Sequence, residues 1–271
     1  MHSEVERLVE TAIAVNGRLL GLNDQAVVET IIRLYFRTLP ATKPRHIVDV
    51  GAAYGNVAEV FLKEGWTADL LEPDPVCLRI LSRLTSAYGS RMRLFPFAAA
   101  DQDRENVPFH LNGTPGLSAL SPSPFGVTMG IRAVRTVRLD SFFAANKVAR
   151  VDFLKIDTEG NDFAVLDTFN LEGISPLLVF IEYSYFFPEQ NPSMLQAEII
   201  KMRARGYAAV IFEYNDDGNF MRGNWKHRLV AIHVDGPRVP VRSNAFGNVL
   251  FYRADDLHLL RNLLGIVRSL T

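Results

Sequence analysis

The chain is poor in cysteine and tryptophan, with one of the former, Cys77, and two of the latter in 271 residues. A single thiol excludes an internal disulfide and any cysteine-rich zinc site, which fits a reducing compartment without requiring one. Cys77 itself reads as a small apolar residue on a helix, beside Leu78 and Leu81. Charge of one sign is also lacking. The 29 basic and 30 acidic residues are interspersed and leave a net charge of −1, so no electrostatic footprint for nucleic acid exists and no nucleic-acid partner is expected. No apolar run approaches the roughly 20 residues of a membrane span. The opening MHSEVERLVETAIAV is acidic near its start and lacks the continuous apolar stretch of a secretory signal. A cytoplasmic protein without a membrane span is the expectation.

What is present is apolar residue in quantity, 48% of the chain, enough for one large α/β domain with appended helices. Residues 1–40 carry helical periodicity, with Val27, Val28, Ile31, Leu34 and Tyr35 on one face and Pro40 closing the segment, which predicts a helical cap before a domain spanning 41–271. Strands then alternate with helices: strand 46–50, helix 56–64, strand 67–72, helix 75–88, strand 92–98. That alternation predicts a mostly parallel sheet. It breaks after Asp101, where VPFHLN and RAVRTVRLD alternate like half-exposed strands around a segment rich in Gly, Pro and Ser. A loop of that length tends to be functional, so an insertion over about 102–138 is expected to supply a lid on the substrate side. The pattern resumes with strands at 151–157, 177–183 and 207–214, helices at 161–169 and 193–205, and late strands at 228–234 and 248–253, the last expected to be antiparallel. The tail is an amphipathic helix with Leu260, Leu263, Leu264 and Val267 on one side, suited to core packing or to a homodimer contact. No internal repeat is evident.

The run HIVDVGAAYGNVAEVF reads as a buried strand that turns at glycine into a helix, a turn suited to a nucleotide-like ligand. Gly51 and Gly55 permit the tight turn, with Ala52 and Tyr54 between them. A dinucleotide fingerprint has G-x-G-x-x-G, whose middle glycine makes room for a pyrophosphate, and here Ala53 fills that place. Glu72 ends the next strand, where an acid accepts hydrogen bonds from both ribose hydroxyls of a nucleoside. Asp49, inside the first strand, would be costly to bury without a cationic partner.

FLKIDTEGND is the second informative segment. A strand buried on both faces is expected to be continuously apolar, yet Lys155 and Asp157 sit two apart and point to one face, and both charges need partners. Glu159 and Asp162 follow at the strand-to-helix turn, on the carboxyl edge where α/β proteins place ligands.

The succession VDVGAAYGN, LLEPDP, FAAAD, VRTVRLDSFF and FLKIDTEGND, over roughly residues 45–185, resembles the FkbM family of class I methyltransferases. The resemblance implies a Rossmann-like sheet whose last strand is antiparallel, and methyl transfer from S-adenosylmethionine to a hydroxyl of a sugar, polysaccharide or polyketide-type acceptor. It implies that Asp49, Gly51 and Gly55 form the cofactor turn, that Glu72 accepts the ribose, that Phe97, Ala98 and Ala99 lie beside the adenine, and that Asp157 and Glu159 stand in a K-I-D-x-E-G signature. The chain departs from the family's pattern at Ala53, a position often Asn, and at Asp162, more commonly Glu.

For a hydroxyl acceptor a base within hydrogen-bond reach is a reasonable need. Asp157 is the first choice and His110, close to the expected lid, the second. Asp157, Glu159 and Asp162 are also hard oxygen donors of the kind Mg²⁺ prefers, while Lys155 offers Asp157 a neutralising partner without a metal. On the acceptor side Glu182, Tyr185 and Ser118 are candidates, with Glu182 an alternative partner for Lys155 and the aromatics after it a wall for an acceptor ring. Two other functions share parts of this pattern. One is a non-catalytic cofactor-binding protein that uses the 112–130 loop and C-terminal helix for a partner; the other is a nicotinamide-dependent oxidoreductase, disfavoured by the missing glycine.

Overall fold

A computed structural model describes residues 32, 33, 35–37, 39, 44–170, 173–215, 228–234 and 242–254. Of the expected N-terminal cap, Ile32, Tyr35 and Phe36 are described, and they are helical and buried. Most of that cap and the whole expected C-terminal helix lie outside the described residues. The chain divides into two compact units, Ala41–Glu182 with Phe186–Gln190, and Met1–Pro40 with Tyr183–Tyr185 and Asn191–Thr271.

The unit starting at Ala41 opens with β1 (His46–Val50), α1 (Asn56–Lys63), β2 (Thr67–Leu71), α2 (Pro75–Tyr88) and β3 (Met92–Phe95). An insertion contributes β4 (Phe97–Ala99), β5 (Arg104–Asn112) and β6 (Thr128–Val137), after which come α3 (Leu139–Ala145), β7 (Phe153–Ile156), α4 (Asp162–Asp167) and β8 (Leu178–Ser184). The main strands run parallel in the order β8–β7–β1–β2–β3. β1 and β7 are buried throughout except at His46, as expected of strands covered on both faces. Their two charged residues are neighbours, because the register pairs Asp49 with Lys155.

Local chemistry sets the helix starts. Asp74 caps α2, its Oδ1 accepting from the Val76 N–H at 2.7 Å and the Cys77 N–H at 3.4 Å, with Pro75 in the first turn where its missing N–H costs nothing. At the start of the strands, buried Asp69 takes Arg93 Nε at 2.6 Å and His46 Nε2 at 3.2 Å. Burial raises the Asp69 pKa, but these two partners outweigh it and hold it below the usual carboxylate value.

Three features differ from the sequence expectation. The strand expected over 92–98 is two strands, because Pro96 interrupts the ladder and sends β4 into a separate three-stranded sheet, β4–β6–β5. Helix α3 is too short to show periodicity, yet buries Leu139, Phe142 and Phe143. The Gly/Pro/Ser segment between β5 and β6 is a strap with internal ties. His110 and Ala119 exchange backbone hydrogen bonds of 2.8 and 3.1 Å, the Thr114 N–H donates to Asn112 Oδ1 at 2.9 Å, and the Phe125 ring meets Phe186 edge-on at 4.7 Å.

In the other unit α5 (Pro192–Ala204) precedes β9 (Tyr207–Asn215), which lies between β10 (Arg228–Val234) and β11 (Phe246–Arg253), both antiparallel to it. β11 is the antiparallel late strand that the sequence predicts. Gly247 is required there, since a Cβ would fall 1.8 Å from the Phe212 carbonyl. Buried Glu213 on β9 accepts from Arg242 Nε and lies 2.8 Å from His233 Nε2, partners that lower its pKa against the effect of burial. No helix among the described residues is long and apolar enough to cross a membrane.

Candidate active site

The turn after β1 is built by close approach. Gly51 has φ +73°, and a Cβ on it would stand 1.8 Å from the Asp157 carbonyl oxygen, so both conformation and space demand glycine. Gly55, at φ +79°, caps α1 without a side chain and leaves room for Leu81 and Leu84. Its N–H donates to the Ala52 carbonyl at 2.7 Å. Ala53 adopts φ +46°, the left-handed region that a Cβ disfavours, and its Cβ occupies the place where a dinucleotide site has glycine. The neighbouring Tyr54 hydroxyl donates to the Pro115 carbonyl at 2.8 Å, fixing the strap to the turn.

Glu72 completes the turn. Its Oε2 accepts from the Ala53 N–H at 2.8 Å and its Oε1 from the Asp74 N–H at 2.7 Å. Each oxygen retains a further lone pair for a ligand donor. Burial pushes the Glu72 pKa up to about 7, although the two N–H groups pull it down. Asp74 Oδ2, left over from capping α2, accepts from the Ser118 hydroxyl at 2.6 Å, a second tie between strap and turn.

Together these groups line a cleft of about 550 Å³, its open mouth included, with Gly51, Ala53 and Glu72 on one side, Phe97, Ala98 and Ala99 on another, and Asp157 and Glu159 closing it. Ser118 lines it too. Ala52, Tyr54 and Gly55 shape the turn without lining the cleft.

Beneath it, Lys155 Nζ lies 3.2 Å from Asp49 Oδ1 and 3.3 Å from Asp157 Oδ2, and donates to the Gly51 carbonyl at 3.1 Å. Burial works against its positive charge, but the two carboxylates outweigh it and raise its pKa. Asp49 is fully buried, and neither carboxylate oxygen has a well-aligned hydrogen bond, so its pKa is raised by burial with Lys155 opposing. Lys155 is thus committed to Asp49 and Asp157, not to Glu182.

The turn after β7 separates the remaining acids. Asp162 is buried, with Oδ1 accepting from the Thr158 N–H at 2.7 Å and hydroxyl at 2.6 Å and Oδ2 from the Glu182 N–H at 3.0 Å. Burial and then the charge of Asp157 raise its pKa to about 7, the Thr158 and Glu182 donors opposing. Its oxygens hold the turn together and are not free for a cation. No group of three or more His, Cys, Asp or Glu side chains among the described residues could hold a metal, so the Mg²⁺ considered for Asp157, Glu159 and Asp162 finds no support in the geometry.

Glu159 stands apart, at φ +58°, a strained setting for a non-glycine residue and one that clusters at functional sites. Burial, then Asp157 and Asp162, push its pKa well above the carboxylate range. No hydrogen bond or ion pair holds its carboxyl among the described residues. Glu159 and Thr158 also line a second groove, which continues from the cleft past Asp101, Arg104 and Glu189 to Phe186.

His110, Glu182 and Tyr185 are not among the residues lining either opening. His110 alternates on β5 with Phe109, and Phe109 is the one that lines the cleft. Tyr185 pairs elsewhere, its N–H donating to the Ala245 carbonyl at 3.1 Å. Sequence reasoning passed over Asp74 and Thr158. The D-P pair in LLEPDP is the signal from which Asp74 could have been read as a helix cap; nothing local points to its second role.

Comparison with known proteins adds the following. A family described as the methyltransferase FkbM domain matches residues 49–209. A search of curated proteins finds no match. Similar solved structures include an O-methyltransferase from Klebsiella pneumoniae, described in its own name as unverified in function, at 12% identity, covering 93% of this chain and 90% of that one with a TM-score of 0.44. Another is precorrin-6y C5,15-methyltransferase from Geobacter metallireducens, at 9% identity, 86% and 98% coverage and a TM-score of 0.40. A third, the 1,6-didemethyltoxoflavin-N1-methyltransferase of Burkholderia thailandensis, holds S-adenosylhomocysteine and is 12% identical over 86% of this chain and 82% of that one, with a TM-score of 0.39. With the family match spanning more than half of its length, the chain belongs to the FkbM family of class I, S-adenosylmethionine-dependent methyltransferases.

Proposed function

We propose that the protein transfers a methyl group from S-adenosylmethionine to a hydroxyl of a sugar, polysaccharide or polyketide-type acceptor. The residues present fit the cofactor: the Gly51 cradle is one that a Cβ would fill, and Glu72 keeps lone pairs toward the cleft for ribose hydroxyls. Phe97, Ala98 and Ala99 supply an apolar edge for the adenine, and the Asp49–Lys155–Asp157 cluster fixes the charge beneath it. When bound, the cofactor supplies an electrophilic methyl on a sulfonium, so the chain has chiefly to align the acceptor and remove its proton.

The observation that carries this reading is Glu159. It lies where the cofactor cleft and the second groove meet, with a carboxyl that has no hydrogen-bond or ion-pair partner among the described residues. Its raised pKa brings it nearer that of a hydroxyl, which makes it a stronger base than an ordinary carboxylate at any pH where it is ionised. Asp157, the first choice from sequence, is tied to Lys155 at 3.3 Å and is the weaker candidate. In this reading a Glu159 oxygen takes the acceptor proton, Asp157 and Lys155 hold the floor, and Ser118 and Tyr54 keep the strap over the cleft.

Methyl transfer from labelled S-adenosylmethionine to glycan and polyketide acceptors tests the proposal. Glu159→Gln is expected to retain S-adenosylhomocysteine binding while losing about 10²–10⁴-fold in kcat. Full activity in that variant rejects Glu159 as the base, and exclusive labelling of amine acceptors rejects the hydroxyl. The nicotinamide reading loses its basis with the family assignment. A partner-binding role without catalysis predicts cofactor binding with no transfer to any acceptor.

A further inference from the structure

The second groove has a chemistry that narrows the acceptor further, and the argument rests on the methyltransferase reading above. Its rim carries the carboxylates of Asp101 and Glu189, with Glu159 at the inner end. Arg104 is the one basic residue lining it, an exposed guanidinium whose Nε donates to the neutral Gln102 Oε1 at 2.9 Å with Nη2 on the same oxygen, so its single positive charge stands against two exposed carboxylates. Nearby Arg138 is neutralised by Asp140, donating to both its oxygens at 3.0 and 2.7 Å and to the Asp101 carbonyl at 3.0 Å. The wall is Phe186, half-buried and held edge-on by Phe125, a fixed apolar surface of the kind on which the C–H face of a sugar ring stacks. Asn161 lines the groove with its amide not used to cap α4.

We propose that this groove is the acceptor subsite and that it selects an uncharged or amine-bearing carbohydrate over a phosphorylated one. The exposed carboxylates of Asp101 and Glu189, acceptors only, and the Asn161 amide match the donors and acceptors of sugar hydroxyls or an ammonium. A phosphate monoester, carrying about −1.5 to −2 charge at neutral pH, would face two exposed carboxylates, Asp101 and Glu189, against the single guanidinium of Arg104.

The test uses the full chain with labelled S-adenosylmethionine and two pools of probes: neutral and amino methyl glycosides, and the phosphate monoesters of the same sugars. Binding of S-adenosylhomocysteine is measured alongside. The expected result is label in the unphosphorylated pool, favoured at least about tenfold. The double variant Asp101→Lys/Glu189→Lys, both positions exposed and outside the catalytic set, should bring that preference below about threefold. Label concentrated in the phosphorylated pool overturns the proposal. So does label in neither pool while S-adenosylhomocysteine still binds, or a preference that the double variant leaves unchanged. Failure to bind S-adenosylhomocysteine would instead defeat the methyltransferase reading itself.

Discussion

Gly51 and Asp157, from two separate sequence motifs, are in backbone contact: the Asp157 carbonyl oxygen fills the space a Gly51 side chain would need, 1.8 Å from its Cβ position. The glycine turn therefore seats the acidic strand end directly beside the cleft.

Gly51→Ala is accordingly expected to cost at least about 2 kcal/mol from overpacking and a left-handed φ together, and to abolish cofactor binding. Ala53→Gly should act in the opposite direction, because Ala53 already pays for φ +46°; relief of that strain exceeds the added freedom of the unfolded chain by a few tenths to about 1 kcal/mol. Thermal unfolding of both variants checks the pair. A stabilised Gly51→Ala or a destabilised Ala53→Gly would contradict the geometry.

Lys155 compensates the buried charge of Asp49. Removing one member of a buried pair typically costs about 3–5 kcal/mol, so Lys155→Met should be strongly destabilised, and Asp49→Asn added to it should recover part of the loss. Denaturant titration of the single and double variants measures this. Additive losses would mean that the two residues are not coupled.

The pH dependence of stability follows from Glu72. Its folded pKa of about 7 lies above the ordinary 4.5, so the folded state binds the proton more tightly than the unfolded state. That contribution is fully present below pH 4.5 and is lost as pH rises through about 7. Unliganded protein should therefore lose stability between these values, Asp162 acting in the same sense. Glu72→Gln should flatten the slope, whatever it does to the absolute stability. An unchanged slope in that variant would remove Glu72 as its source.

The alternation of strands and helices was legible because β1, β2, β7 and β8 are short, mostly apolar runs with one charged residue apiece, separated by stretches of helical spacing. That Gly51 and Glu72 meet at one cleft was legible because a positive-φ turn and a strand-end acid leave local signatures. Other features depend on partners distant in sequence. Which of Asp157 and Glu159 is unencumbered depends on where the Lys155 ammonium points, and the structural role of Asp162 depends on the Glu182 N–H, twenty residues on. Ser118, named for the acceptor side, lines the cleft with its hydroxyl on Asp74, a tie between strap and helix cap that no local pattern announces. The single strand expected over 92–98 ran through Pro96, and that the residues after it join another sheet required a partner, β6, that only the fold supplies.

The most direct measurement is calorimetric titration of the full chain with S-adenosylhomocysteine, beside NAD as a control and with the Glu72→Ala variant. The account predicts one site per chain for S-adenosylhomocysteine, no binding of NAD, and affinity weakened at least about tenfold by Glu72→Ala through loss of charge-assisted bonds to ribose. Undiminished affinity in Glu72→Ala, or binding of NAD in place of S-adenosylhomocysteine, would contradict it.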